Sequence, residues 1–238
     1  MVIVSDHASS RVPEPLGDLG LSPQQFDLHI AYDIGADFIT RCLADRLNAR
    51  AVLATYSRLV VDLNRDPKHE GCIPTISDRT IIPANQNLSA QDIQDRLHMF
   101  HSPYHEAINK EVESLTQRDG RPPVIFSIHS FTPSMNGEDR IWDVGVLWNK
   151  DPRMPLTLID HLKRWDGLHV GNNQPYSGQE LAYTIDTHGT DQGIANCAIE
   201  IRQDHCSTLE EANHWADILA DALSHILTLD NLHKIHHY

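Results

Sequence analysis

Two histidines stand where a metal ion could be bound. His7 follows the β-branched run at residues 2–4, and His129 follows the apolar run at residues 124–128. Because parallel strands bring their carboxyl ends to one edge of a sheet, both rings are expected at that edge, as a metal site requires. The alternative is that each is a structural histidine at the end of its strand.

Two carboxylates could complete such a site. Asp33 could supply an oxygen ligand and leave a fourth position for water. Alternation along residues 198–202 places Glu200 and Arg202 on one face of a strand, where a carboxylate beside a metal-bound water acts as general base. The alternatives are a helix cap for Asp33 and a solvent-exposed Glu200–Arg202 ion pair.

The segment from Ser57 to Arg65 carries two arginines that bracket a predicted strand. Guanidinium groups bind carboxylates through two hydrogen bonds and stay charged at any working pH. Arg58 and Arg65 could therefore form a positive site for a carboxylate. A local salt bridge between Asp62 and Arg65 is the structural alternative.

The elements that position these residues alternate between strands and helices. Strands are predicted at residues 2–4, 51–54, 59–63, 124–128, 143–148 and 196–201, and helices at 23–48, 89–120, 156–165 and 209–229. This order predicts one α/β domain over residues 1–238, with a mainly parallel mixed sheet flanked by helices. Residues 71–87, from Gly71 to Asn87, are predicted to form a long loop, with a lid as one interpretation.

Composition excludes several functions. The chain of 238 residues has a formal charge of -14, which argues against nucleic acid as a partner. It has no apolar run near the roughly 18 to 20 residues of a membrane span, so no membrane partner is expected. The four separated cysteines are expected to be reduced, and the amino terminus carries no secretion signal, so a cytoplasmic location is the default. A monomer and a homo-oligomer both stay open.

Seven blocks resemble, in order, the N-formylglutamate amidohydrolase family, and together they cover nearly the whole chain. They are Ser5-Asp6-His7-Ala8, Tyr32-Asp33-Ile34-Gly35, the segment 57–65, Ser127-Ile128-His129-Ser130-Phe131, the segments 173–178 and 183–189, and the segment 199–204. That family is similar in fold to the zinc carboxypeptidases and aspartoacylases, within the phosphorylase/hydrolase-like group.

The resemblance implies a zinc site with His7 and His129 as ligands and Glu200 as general base. The carboxypeptidase group has an acidic ligand three residues after the first histidine, where this chain has Ser10. Asp33 is taken as the third Zn²⁺ ligand instead, because its block resembles the family's own.

The block Asp62-Leu63-Asn64-Arg65 resembles the Asp-Leu-Asn-Arg motif of aspartoacylases, which implies that Arg65 and Asn64 bind the substrate carboxylate. Arg58 is assigned to the oxyanion and Arg202 to substrate binding. The expected function is cleavage of a small anionic N-acyl amino acid such as N-formylglutamate by a zinc-bound water that Glu200 deprotonates. The alternatives are a carboxypeptidase-like peptidase, a non-catalytic carboxylate-binding protein and a purely structural role for these residues.

Overall fold

A computed structural model describes residues 1–180 and 182–238. Its main sheet has six strands, which are β1 (Val2–Ser5), β2 (Arg50–Leu53), β5 (Ile125–Phe131), β8 (Val144–Leu147), β9 (Val170–Asn172) and β10 (Asn196–Arg202). They lie in the order β2-β1-β5-β10-β8-β9. Strands β2, β1, β5 and β10 are parallel, β8 runs antiparallel to β10, and β9 is parallel to β8. The mainly parallel mixed sheet is therefore confirmed.

Helices cover both faces of the sheet. They are α1 (Ala36–Leu47), α2 (Ala90–Arg96), α3 (Ser102–Asp119), α4 (Pro155–Leu162), α5 (Tyr183–His188) and α6 (Leu209–Ile226). One apolar core joins α1, α4 and α6 to side chains such as Ile199 and Ile201, and a second joins α3 and α5 to side chains such as Val4 and Ala198. Alternation along β10 thus turns Glu200 toward the second face. Among the described residues, no helix combines the length and apolar composition that crossing a membrane needs.

The predicted helix over 89–120 is confirmed with an interruption. Ser89 caps α2 through its side chain, a π-helical turn spans Leu97–His101, and α3 ends at Asp119, before Gly120, whose φ is positive. The predicted helix over 23–48 is wrong in its first half, which contains only a 3-10 turn at Pro23–Asp27.

Helix α1 begins after Gly35, whose φ of 84° belongs to the left-handed region. A Cβ atom there would overlap the carbonyl oxygen of Cys206, so a side chain at this position would clash with backbone. The chain before Gly35 is left irregular, and that irregular stretch contains Asp33.

The predicted strand over 59–63 is wrong. Leu59, Val60 and Val61 are buried, but their backbone follows turns and irregular structure. Side chains, and not a neighbouring strand, donate to two of the carbonyl groups: Asn85 donates to the oxygen of Leu59, and Arg96 donates to that of Val60. The apolar run at 59–63 therefore resembles a strand because its residues are buried, although their backbone forms no hydrogen-bonded ladder.

Residues 71–87 contain more structure than a loop. A short hairpin joins β3 (Ile76–Ser77) to β4 (Thr80–Ile81), and 3-10 turns flank it at Glu70–Cys72 and Pro83–Asn85. A second small hairpin, β6 (Ser134–Met135) with β7 (Glu138–Asp139), follows β5. Both hairpins contribute residues to the rim of the cavity described next.

Candidate active site

Three adjacent parallel strands bring the central residues together. His7 lies just beyond β1, while His129 and Glu200 lie near the ends of β5 and β10. Glu200 is directly opposite His129 in the β5–β10 register, so the two side chains share one face of the sheet. The strand-edge location predicted for the two histidines is therefore correct.

His7, Asp33 and His129 form a buried cluster whose nitrogen and carboxylate oxygen atoms lie within 4.8 Å of one another. Nδ1 of His7 lies 3.3 Å from Oδ2 of Asp33, and Nδ1 of His129 lies 2.9 Å from the same oxygen. The backbone N–H of Asp33 donates to the carbonyl of His7 at 2.9 Å, which ties the irregular segment to the end of β1.

The far nitrogen of each ring contacts a second carboxylate. Nε2 of His7 lies 2.8 Å from Oδ1 of Asp62, and Nε2 of His129 lies 3.2 Å from Oδ2 of Asp6. If each Nε2 carries the proton and donates it, each Nδ1 presents a lone pair toward Asp33. This carboxylate–histidine arrangement is the one that orients imidazole ligands in metal sites.

The donor set fits a zinc ion. Two imidazole nitrogens and one carboxylate oxygen form a three-residue set that leaves a fourth position for water or substrate. Burial disfavours the charged imidazoles, but the surrounding carboxylates outweigh it and raise the pKa of both His7 and His129. In the metal-free protein this cluster therefore binds protons readily, and a metal ion would compete with them.

Arg58 is held between two of these carboxylates. Its Nη2 donates to Asp62 at 2.7 Å, and its Nη1 donates to Asp33 at 3.4 Å. Burial alone would raise the pKa of Asp62, but the Arg58 guanidinium and His7 hold it well below its usual range. Arg58 thus favours the charged state of Asp62.

Glu200 is a buried carboxylate with an unmet hydrogen bond. Its side chain is 9% exposed, and no group among the described residues bonds to its Oε2 atom. Burial raises its pKa to about 7, with repulsion from Asp33 adding to the effect and attraction from His129 opposing it. A carboxyl group in this state can take and return a proton near neutral pH.

Asn64 and Arg65 follow Asp62 in a segment that is tightly held. The backbone N–H of Asn64 donates to Asp62, and its side-chain oxygen accepts from the backbone N–H of Thr184 at the start of α5. The Thr184 hydroxyl then donates to Asp6 at 2.8 Å. Helix α5 therefore joins the segment of Asp62 and Asn64, which contacts His7, to Asp6, which contacts His129.

Three histidines outside the predicted site support the same segment. His105 and His101 lie 3.0 Å from the carbonyl oxygens of Leu63 and Arg65, and His188 lies 2.8 Å from His105. The sequence interpretation missed this cluster. The pair His101 and His105, four residues apart on a predicted helix, was the available signal.

The cavity in front of the cluster has a volume of about 320 Å³. Seven predicted site residues line it: His7, Asp33, Arg58, Asn64, Arg65, His129 and Glu200. Its remaining walls include Tyr176, Phe131 and Met135, together with Ser77 and Asp78 from the β3–β4 hairpin. This cavity is called the active-site cavity below.

The structure does not bring Arg202 to this cavity. Its guanidinium contacts Asp204 at 2.8 Å and Asp143 at 3.2 Å, and it donates to the carbonyl oxygen of Arg140. Arg202 is the last residue of β10, and nearby carboxylates hold its side chain away from the cavity wall. The ion-pair alternative therefore describes it better than substrate binding, although its partner is Asp143 and not Glu200.

Comparisons with known proteins give a consistent result. The model of the N-formylglutamate amidohydrolase family matches residues 1–206. The solved structure of gene product Atu2144 from Agrobacterium tumefaciens is 31% identical, with a TM-score of 0.91, and covers 95% of this chain and 90% of that one. An N-formylglutamate amidohydrolase from Ralstonia eutropha JMP134 is 20% identical, with a TM-score of 0.74, and covers 97% and 93%. A comparison with curated protein sequences returned no match.

Proposed function

The chain belongs to the N-formylglutamate amidohydrolase family, and from that membership we propose that it is a zinc-dependent hydrolase of small N-acyl amino acids. The observation that carries the proposal is the buried cluster of His7, Asp33 and His129 with the unpaired carboxyl of Glu200 in the same cavity. The reaction is hydrolysis of a linear amide bond, with N-formylglutamate as the family's namesake substrate.

His7, Asp33 and His129 would hold the metal, with Asp62 and Asp6 fixing the two rings from behind. A bound zinc ion would supply Lewis acidity, which polarises an amide carbonyl and lowers the pKa of water. The protein's share of the chemistry is to orient the ligands and to place a base beside the site.

Glu200 would be that base. Its carboxylate would accept a proton from the attacking water and then deliver the same proton to the leaving nitrogen. The proposal is supported by the absence of any hydrogen-bond partner at Oε2 among the described residues, since a carboxylate engaged in an ion pair could not exchange protons as freely.

Arg65 and Asn64, which both line the cavity, would bind the substrate carboxylate. Arg65 lines the cavity, and among the described residues no carboxylate lies within 4.0 Å of its guanidinium. Arg58 would contribute a fixed positive charge beside the developing oxyanion, because two of its N–H groups are already occupied by Asp33 and Asp62.

The first experiment is to measure the metal content of the purified protein and of His129→Ala, and then N-formylglutamate hydrolysis with and without added zinc. We expect about one zinc per chain, by analogy with mononuclear catalytic sites, and loss of both metal and activity in the variant. His225→Ala is the matched control, because His225 is exposed near the end of α6.

A metal-free protein that zinc cannot activate would contradict the proposal and favour a carboxylate-binding protein without turnover. Short peptides should be assayed beside the N-acyl amino acids. Faster turnover of peptides would instead favour the peptidase alternative.

A further inference from the structure

We infer that Tyr176 is a further catalytic residue, whose phenol donates a hydrogen bond to the oxygen of the scissile amide carbonyl, and that Arg140 positions this phenol. This inference rests on the proposed amidohydrolase function. It gives a role to the segment 173–178, which carries Tyr176 into the lining of the active-site cavity.

The segment that carries Tyr176 packs against the sheet beside Glu200. In the register of the sheet, Glu200 of β10 lies opposite Gly145 of β8, and Gly145 lies opposite Gly171 of β9. A Cβ atom at either glycine would overlap the carbonyl oxygen of Gln174, so the segment reaches the sheet only because both positions lack a side chain. Tyr176 follows two residues later and lines the same cavity as Glu200.

Hydrogen bonds also fix this segment. The backbone N–H of Asn173 donates to the carbonyl oxygen of Val146 at 2.9 Å. The side-chain oxygen of Asn173 accepts from the backbone N–H groups of Trp148 and Gly178, at 2.9 and 3.1 Å. The backbone that carries Tyr176 is therefore held in place before a substrate binds, and a donor to a developing charge acts best when it is fixed in advance.

Arg140 holds both the ring and the oxygen of the phenol. Its guanidinium stacks over the rings of Tyr176 and Phe131, at 4.8 and 5.5 Å from their centroids. Its Nη2 donates to the hydroxyl oxygen of Tyr176 at 2.7 Å, and its Nη1 lies 3.3 Å from the carbonyl and hydroxyl oxygens of Thr132, just beyond β5. A charged donor to the phenol oxygen polarises the O–H group and makes it a stronger donor in turn.

The phenol proton is available to a substrate. Because Arg140 donates to the oxygen of Tyr176, the phenol directs its own proton to another acceptor. Among the described residues that acceptor is the thioether sulfur of Met135 at 3.9 Å, a weak acceptor that a carbonyl oxygen would replace. The hydroxyl groups of Ser130 and Thr132 also line the cavity, but they already donate to backbone carbonyl oxygens.

The location of Tyr176 directs this proton to the amide and not to the substrate carboxylate. Arg65 and Asn64 belong to the segment that contacts His7, just beyond β1. Tyr176 approaches over β8 and β9, so Glu200 on β10 lies between the two groups in the order of the strands. A substrate whose carboxylate is bound by Arg65 would therefore extend its amide bond toward Glu200 and Tyr176.

The phenol keeps its proton at neutral pH. Burial raises the pKa of Tyr176, the charge of Glu200 adds to this effect, and the hydrogen bond from Arg140 opposes it. A protonated phenol donates to an amide oxygen, and the hydrogen bond strengthens as negative charge develops on that oxygen in the transition state. Its removal should consequently lower kcat and change KM little.

The test is hydrolysis of N-formylglutamate by the zinc-loaded parent protein and by Tyr176→Phe, which keeps the aromatic ring and removes only the hydroxyl. We expect kcat to fall by about 100-fold with little change in KM, as for the loss of one oxyanion donor. Tyr238→Phe is the matched control and should behave like the parent, because Tyr238 also lies beside an arginine, Arg153 at 6.0 Å, but is exposed and outside the cavity lining. An unchanged kcat in Tyr176→Phe, with or without a raised KM, would overturn the inference.

Arg140→Met and the double variant with Tyr176→Phe test the positioning role. We expect Arg140→Met to lower kcat by about tenfold in the parent protein and to have no further effect in Tyr176→Phe, because it acts through the phenol hydroxyl. A general effect on the cavity would lower kcat equally in both backgrounds. Losses that multiply in the double variant would therefore overturn the role of Arg140.

A failure of the proposed function gives a different result. A zinc-loaded parent protein that hydrolyses neither N-formylglutamate nor N-acetylglutamate would overturn the hydrolase proposal, and this inference with it. An active parent protein with an equally active Tyr176→Phe variant would overturn the inference alone.

Discussion

Replacing Glu200 by Gln should stabilise the metal-free protein at pH 8 and change its stability little at pH 4.5. Burial raises the pKa of Glu200 from 4.5 to about 7, so the folded protein resists ionisation that the unfolded chain accepts freely. Because the pKa is raised in the folded state, Glu200 leaves the free energy of unfolding unchanged below pH 4.5. It lowers that free energy as the pH rises from 4.5 to about 7, and above about 7 the loss stays constant. Each pKa unit corresponds to about 1.4 kcal/mol, so the ionised carboxylate costs about 3 kcal/mol in the folded state.

The assay is urea unfolding of both proteins, treated with a chelator, at pH 4.5, 6 and 8. Because the two proteins differ only at residue 200, the difference between the two free energies of unfolding reports the Glu200 carboxyl together with its effect on His129, whose pKa the Glu200 charge raises. We expect that difference to grow by about 3 kcal/mol from pH 4.5 to pH 8. A pH-independent difference would refute the assignment of Glu200 as a buried, unpaired carboxylate. Restoring zinc should shrink the effect, since a cation nearby favours the ionised form.

Three further results are expected. Asp6→Asn should weaken zinc binding by about 10- to 100-fold, measured by chelator competition, because Asp6 orients His129. Arg65→Met should lower kcat/KM by about 100-fold through KM for substrates with an α-carboxylate, and should leave their α-amide analogues unaffected. Burial lowers the pKa of His105 from 6.5 to about 3, so the free energy of unfolding should fall as the pH drops through this range. In urea unfolding, His105→Gln should show a smaller fall over the same range than the unsubstituted protein.

Much of the fold could be predicted because its strands and helices have regular patterns. The run at residues 124–128 and the alternation at 196–201 correspond to β5 and β10, and the apolar stripe of 209–229 corresponds to α6. The apolar run at 59–63 was misleading, because burial and β-branching are shared by strands and by buried irregular chain. Only the contacts with Asn85 and Arg96, far along the sequence, distinguish the two.

Less of the candidate site than of the fold could be predicted from sequence patterns. His7 and His129 could be placed at a common sheet edge from strand patterns, and Glu200 on one face of a strand from alternation, but Asp33 was chosen because its block resembles the family's own. Its irregular segment has no periodicity, and its position depends on the left-handed Gly35 and on a backbone bond to His7. Asp6 was not predicted at all, because its contact with His129 joins residues that only the β1–β5 pairing brings together.

Asp62 lies in the segment that was wrongly predicted to be a strand, and its contacts show how the turns of that segment shape the candidate site. Its Oδ1 contacts both Nε2 of His7 and the backbone N–H of Asn64, while its Oδ2 accepts from Arg58. One carboxylate therefore contacts a proposed metal ligand, pairs with an arginine and fixes the residue before Arg65. A strand would have directed alternate side chains to opposite faces of a sheet, and it could not have turned Arg58, Asp62 and Arg65 toward one cavity. The turns of this segment, which its sequence pattern did not reveal, allow one short stretch to place Arg58, Asp62 and Arg65 in the lining of the same cavity.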